Sequence, residues 1–539
     1  MHEMNSDWVL SFQSHNQDFA IRQFCAAARM IDQEQQQQHS QNSIGELYTY
    51  TSTPDHSASS QEEQEFVDSF FNIDSYDKDP LDQQVNLDVE EFGDFTSMIL
   101  NEYSYKNLSV LTDEEPRYTV LEACSSSDDL IGAEKPFDAE TISHDHVEAE
   151  VNQGLQLVHL LLACAEAVGC RDTRLSDSLL TQIWPAVTPF GDSLQRVSYC
   201  FALGLQSRLT LLQHRNNAGA TLIQDQLAAL SRVEKREAYH WLNQITPYMA
   251  FGFMAANDAI CKASSGKECL HIIDLGMLRI FQWQSLIRTL TAQPDSPPPR
   301  LVRITGILED THDFMELELG LKSLMDEVAA TSSGNIRLEF QVIKEPVSAS
   351  LFTREKLDVR EGEALIVNSV MQLHKYVKES RGSLKTILQA IKKLGPALVI
   401  VVEQDANHNG PFFLGRFLES LHYYSAVFDS LEASLPRDST TRIKIEKCHY
   451  AEEIRNIVAY EGSNRIERHE RADQWRRQLG RAGFQVVGLK CMSQVRMMLS
   501  VYGSDGYTLA SEKGCLLLGW KGRPIMFASA WEVHNVASS

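Results

Sequence analysis

Ten cysteines are present in the chain, yet none are paired at CxxC spacing or set beside histidines as zinc ligands would be. Strung through apolar segments (Cys164, Cys200, Cys269), they are expected to be free core thiols of a protein kept in a reducing compartment, with no metal bound. The start, MHEMNSDWVLSFQS, lacks a basic stretch followed by an apolar one, so no secretory signal is read. No apolar run approaches the ~20 residues of a spanning helix, which predicts a soluble, intracellular protein without a membrane partner. Net positive charge is missing as well. The formal charge is −24, with 32 acidic and 6 basic side chains in residues 1–150 against 41 and 43 in the rest. Neither part carries the field that would make nucleic-acid phosphate its main partner. No HExxH, P-loop or Ser/His/Asp set is found, so the chain is not expected to be an enzyme.

A further scarcity falls at the most informative stretch, Leu270–Trp283, LHIIDLGMLRIFQW. It reads as a buried strand (Leu270, Ile272, Ile273), an acid at its end (Asp274), one glycine (Gly276) and a helix. A nucleotide-type cofactor approaches the backbone of such a turn closely, which requires several glycines. Here Gly276 is followed by Met277, Leu278, Arg279, Ile280 and Phe281, side chains that can fill the space of a cofactor. Glu309, past the second strand, could grip a ribose or cap the next helix. Asp274, Gly276 and Glu309 are therefore expected to outline a vestigial pocket, with no cofactor.

Residues 1–150 mix a Gln run (Gln35–Gln38), Ser-rich pieces and acids, a composition that cannot bury enough apolar surface to offset chain entropy. Disorder is expected there. Within Phe66–Leu100, bulky residues (Phe66, Phe70, Phe71, Tyr76, Phe92, Phe95) alternate with acids (Asp68, Asp74, Asp77, Glu90, Glu91). Two readings are open, an acidic activation segment that offers aromatics to a partner's groove, or a solvating tail.

The pattern changes near Val151. Leu155–Val168 is apolar nearly all round, as a helix buried by helices should be. It contains an LxxLL arrangement (Leu157, Leu160, Leu161) of the kind that co-regulator helices use, although core packing explains it as well; His159 reads as a core or rim histidine. Asp192 or Ser193 can cap a helix with the stripe Leu194, Val197, Phe201, Leu205, Leu209. A third helical piece covers Tyr239–Ala263, bent at Pro247. Residues 151–265 are thus expected to be an all-helical cap.

From 266 to 535 strands alternate with helices: Leu301–Ile307, Ile336–Val342, Ala364–Val370 and Ala397–Glu403 are strands, and the last two are continuous apolar runs suited to the centre of a parallel sheet. Phe484–Leu489, Cys515–Trp520 and Ile525–Ala530 close the chain, the last two as a hairpin about Lys521–Pro524. The expected class is α/β, a twisted Rossmann-type sheet like that of cofactor-dependent methyltransferases. Asp405, His408 and Asn409 follow a central strand, where active sites often lie, but are also ordinary loop residues. Arg465–Arg481 is the most basic stretch. Its acids stand at helical spacing, which predicts a solvated, salt-bridged helix face, with a phosphate-contacting patch as the alternative.

Five motifs in order give the folded region a close resemblance to the GRAS family of plant transcriptional regulators. LVHLLLACAEAV is similar to its first leucine-rich motif. His271, Ile272, Ile273 and Asp274 match its VHIID signature, with Leu270 in first place, and Gln282-Trp283 match the QW that follows. Phe413–Ala433, with Arg416, His422 and Tyr423, and Ile454–His469, with Arg465 and Glu467, resemble its PFYRE region; Trp475, Trp520 and Trp531 match its SAW region. The resemblance implies a nuclear, non-enzymatic coactivator or corepressor. Its implied partners are other GRAS chains and DNA-binding factors such as zinc-finger proteins, with DNA contacted indirectly. Leu157, Leu160, Leu161, Gln282 and Trp283 become candidates for partner contact. The alternatives are an S-adenosylmethionine-dependent methyltransferase or small-molecule sensor, and a direct DNA binder. The DELLA and TVHYNP sequences of one hormone-responsive subgroup are absent from residues 1–150.

Overall fold

The computed structural model describes residues 139–214, 232–276, 280–292, 297–309, 314–331, 336–378 and 382–534. Residues 1–138 of the acidic head, with its acidic–aromatic segment, lie outside them; its remaining residues, 139–150, open a helix and are not the disordered chain expected there.

Five strands, β1 (Cys269–Leu275), β2 (Leu301–Ile307), β3 (Arg337–Ile343), β4 (Ala364–Val370) and β5 (Leu398–Gln404), run parallel. Four more, β6 (Phe484–Val487), β7 (Tyr507–Glu512), β8 (Cys515–Trp520) and β9 (Arg523–Val533), complete a sheet of order β3-β2-β1-β4-β5-β9-β8-β7, with β6 on the far end of β9. Every residue of β4 and β5 is buried, which is why ALIVNSV and LVIVVEQ are mostly apolar, with Asn368-Ser369 and Glu403-Gln404 as their polar exceptions: helices cover both faces. β9 lies antiparallel to β5, pairing Val399 with Trp531 and Val402 with Ala528. The expected methyltransferase-like α/β sheet is the fold observed.

The hairpin β8–β9 turns at Lys521 and Gly522, both at positive φ (46° and 85°), the requirement of a tight hairpin turn that follows strand twist. Lys513 and Gly514 (50° and 85°) make the same turn between β7 and β8. β7 escaped the sequence reading because YTLASE is largely exposed and carries little apolar signal.

Helix α1 spans Ala139–Gly169, α2 Thr173–Ile183 and α3 Ser193–His214. Asp192 caps α3: its carboxylate accepts from Gln195 N (2.9 Å) while the Gln195 side chain accepts from Asp192 N (3.2 Å). The piece expected over Tyr239–Ala263 is two helices, α4 (Arg232–Ile245) and α5 (Tyr248–Ser264), broken at Thr246-Pro247 because proline has no N–H for the ladder. Helices α6 (Phe281–Ala292), α7 (Phe314–Thr331) and α8 (Gly382–Leu394) follow within the α/β part. After β5 come α9 (Phe413–Ser434), α10 (Thr440–Ile445), a π turn at Glu446–Tyr450, and α11 (Ala451–Ala459), then α12 (Ala472–Ala482) and α13 (Met492–Ser500).

The helical layer is not residues 151–265 alone. α3 packs against α9 and α11, which arrive from beyond β5, while α5 lies on the sheet, with Gly252 against Val402. Arg196 of α3 ties the layer together. Fully buried, it meets Glu446 (3.0 Å) and Glu432 (2.9 Å) and donates to the carbonyl of Gly191 (2.8 Å). Burial pushes the Glu446 carboxyl up to about 7, against the pull of Arg196 and Arg442.

Candidate functional site

The cofactor end of such a sheet lies beyond the carboxyl ends of β1 and β4, where strand order reverses. β1 delivers Asp274, buried, and then Gly276 at φ 111°. Over Gly276 sits Gln372, from the turn after β4: a Cβ added to the glycine would lie 2.3 Å from its amide carbon. The approach that a Gly-rich turn leaves open to a ligand is occupied by this chain's own glutamine. Behind it four polar side chains close on one another. Asn368 donates to Asp274 (2.8 Å) and to the side-chain Oε1 of Gln282 (3.2 Å), Gln282 donates to Asn257 (3.2 Å), and Asn257 donates to the backbone carbonyl of Gln282 (3.1 Å).

What remains is a cavity of about 20 Å³ lined by Tyr239, Met249, Phe253, Asp274, Gly276, Gln282 and Val370. That is room for about one water molecule, and an adenosyl cofactor does not fit. Met277, Leu278 and Arg279 lie outside the described residues, Ile280 turns to Gly320 of α7, and Phe281 is exposed. Among the described residues, Gln372 and the Asn257–Gln282–Asn368 set fill the space; Gln282 belongs to the same stretch as Gly276, and the other three come from elsewhere in the chain. Glu309 is exposed at the end of β2 and no part of this cavity.

Burial raises the Asp274 carboxyl to about 7, with the Asn368 hydrogen bond pulling the other way. Because its folded-state value lies above the unfolded one, the folded state holds the proton more tightly. Stability from this group is therefore full below about pH 4 and is lost as pH rises to 7, on the order of 4 kcal/mol. Asp274→Asn keeps an acceptor for Asn368 and has no charge to bury. Its melting temperature is expected to gain on the wild type by several degrees between pH 5 and pH 8; a gap that stays constant over that range would contradict the assignment.

The other expected contact residues are mostly turned inward. Leu157, Leu161, Gln282 and Trp283 are buried, so their use as a partner surface is corrected: the chain's own core already covers them, and Leu160 is half-buried. His159 is exposed. Ile272 and Ile273 are sheet core, while His271 contacts Thr305 (2.8 Å) and Glu363 (3.3 Å) in a buried polar layer with Arg303. Burial lowers His271 to about 4, so it is neutral there.

Below the sheet's other half, the stretch read as a solvated helix divides in two. α12 behaves as expected, with Arg476 on Asp473 (2.9 Å). Residues 465–470 are not helical, and Arg465, Arg468, His469 and Glu470 are buried. Arg465 donates to the His408 carbonyl (3.0 Å), and Arg468 donates to Asn409 (3.0 Å) and the Gly462 carbonyl (2.9 Å). These two arginines are thus inside the protein and offer nothing to phosphate. Asp405 caps α12 by accepting from Ala472 N (2.6 Å). It and His408 are buried structural groups, not loop surface.

The same segment carries Glu467 to His374 and His469, at 3.3 Å from each. His374 Nδ1 lies 2.7 Å from Glu403, whose other oxygen accepts from Gln372 N (3.1 Å) and His374 N (3.2 Å). Burial works against a charge on His374, but Glu403 and then Glu467 hold it up at about 9. Sequence reasoning missed this set. Its signal was one acid, Glu403, ending the run ALVIVVE.

The remaining motif residues are fastenings. Arg416 reaches Glu461 (2.5 Å) and the Gly410 carbonyl (3.0 Å), His422 meets Arg523 (2.6 Å), and Tyr423 donates to the Ile525 carbonyl (3.1 Å). Trp520 donates to Asp429 (2.6 Å) and Trp531 to Ser529 (2.9 Å), while Trp475 is fully buried. The described cysteines are all free, and no described helix is long and apolar enough to cross a membrane.

The GRAS domain family model matches residues 157–532. Over 441 residues the chain is 42% identical to GRAS family protein RAD1 of Lotus japonicus, covering 80% of this chain and 85% of that protein. Over 387 residues it is 37% identical to DELLA protein RGL1 of Arabidopsis thaliana, covering 71% of each. The crystal structure of SCL7 from Oryza sativa matches with a TM-score of 0.60 at 28% identity, over 70% of this chain and 99% of that one. A methyltransferase-like sheet whose cofactor end is plugged from within, carrying all five ordered motifs and these likenesses, belongs to the GRAS family.

Proposed function

We propose that this protein is a nuclear regulator of transcription that works by binding other proteins, as coactivator or corepressor, and has no catalytic activity. The observation that carries the reading is the closed cofactor end: Gln372 against Gly276 and a cavity of about 20 Å³ leave the methyltransferase-like sheet nothing to methylate with. Membership of the GRAS family supports the transcriptional role. In this reading the partners are other GRAS chains, in homo- or heterodimers, and DNA-bound factors such as zinc-finger proteins. DNA is contacted through them. The near balance of 41 acidic and 43 basic side chains after residue 150 agrees with that, as does the burial of Arg465 and Arg468. The acidic head is the segment proposed to meet the transcription machinery. Fused to a heterologous DNA-binding module, the full chain is expected to change output from a reporter in plant cells severalfold, up or down. Output equal to that of the module alone would count against the proposal.

A further inference from the structure

Away from the plugged cleft, three ligand-type side chains converge on one point. Nε2 of His374 and Nε2 of His469 each lie 3.3 Å from the same oxygen, Oε2 of Glu467, and the three atoms fall within 4.8 Å of one another. A tetrahedral zinc ion with ligands at ~2.0–2.1 Å sets neighbouring donor atoms about 3.3–3.4 Å apart. The two distances to Glu467 already have that value, and the imidazole nitrogens, within 4.8 Å of each other, close the triangle.

Both imidazoles are also oriented from behind, as metal-bound histidines are. Nδ1 of His374 faces Glu403 at 2.7 Å, and that carboxylate is itself fixed by two backbone N–H groups. Nδ1 of His469 faces Nδ1 of His408 at 3.0 Å. In the tautomer in which both Nδ1–H groups donate outward, and once the proton between His374 and Glu467 has left, both Nε2 atoms face the shared centre as acceptors. His469 is completely buried, and its Nε2 has no hydrogen-bond partner among the described residues. An unpartnered buried acceptor is costly, and a cation would satisfy it. Glu467 has 15% of its side chain accessible, the most of the three.

We propose that His374, Glu467 and His469 form a binding site for a divalent transition metal, with zinc the best match and water at the fourth position. Two imidazoles and a carboxylate are a ligand set that zinc takes, and no thiol is needed. The ion would displace the proton that His374 and Glu467 share, and would cross-link the turn after β4 to the segment between α11 and α12.

Full-length protein stripped with a chelator and dialysed should take up one tightly bound zinc per chain by calorimetry. Its zinc absorption-edge fine structure should show a nitrogen and oxygen shell with two imidazoles. Glu467→Gln and His469→Gln should each weaken binding by ~100-fold or more, since even outer partners of a metal site are worth 10–100-fold. Absence of stoichiometric uptake by the folded wild type would overturn the proposal, as would sulfur in the metal shell. Unchanged affinity in variants that keep the wild-type circular dichroism would do the same. Should a variant fail to fold, the ligand shell of the wild type decides alone.

Discussion

Arg196→Met is expected to destabilise the chain by about 3–5 kcal/mol at pH 8, read as a shift of the urea midpoint. Arg196 is fully buried and carries two carboxylates, Glu446 and Glu432, from segments that join the helical layer only after β5. Methionine has similar bulk, so the loss is not chiefly a cavity. It comes from leaving Glu446 buried with its charge and with the more distant Arg442, at 3.6 Å, to face it. The sign of the pH dependence follows. Burial holds Glu446 near 7, so below that pH a proton neutralises it in both proteins and the cost of the substitution shrinks. Adding Glu446→Gln to Arg196→Met should recover much of the loss, since the uncompensated charge is then gone. A double variant no more stable than the single one would show that packing, not charge, makes the site.

Trp531→Ala should cost a similar ~3–5 kcal/mol by a different route. The indole stands on β9 between Val399 of β5 and Val486 of β6, in the core that also holds Trp475, Leu479 and Phe484. Removing it opens a cavity where two strands meet, and β9 is the one strand that joins the parallel half of the sheet to the antiparallel half. Trp531→Phe should lose less, because most of the apolar volume stays. Near-equal urea midpoints for wild type and Trp531→Ala would remove the residue from the core.

How far the sequence speaks for itself depends on how local each feature is. The inner parallel strands were legible because burial on both faces leaves runs such as LVIVV without a polar residue, and β3 because Leu338, Phe340 and Val342 alternate with polar residues on a half-buried edge. The β8–β9 hairpin was legible because Lys521-Gly522 is a short-range signal. The closing of the cofactor end was only half legible. The missing glycines after Gly276 told that a ligand had lost its approach, whereas Gln372, which takes the space, belongs to a turn brought there by strand pairing. Its only mark was the polar Asn368-Ser369 inside an apolar strand. The stretch Arg465–Glu470 misled for the same reason. Its charges repeat at helical spacing, but their partners, Asn409, His408 and His374, come from other strand ends, and no pattern within the stretch could announce them. That α9 and α11 join the helical layer from beyond β5 was equally hidden, since nothing within residues 151–265 marks it.

The central claim, that this methyltransferase-like core works with its cofactor end filled by its own side chains, is met most directly by calorimetry of the full-length protein with S-adenosylmethionine. No heat of binding is expected at any ligand concentration up to the millimolar range. Stoichiometric binding at micromolar concentration, abolished by a bulky substitution at Gly276, would contradict it.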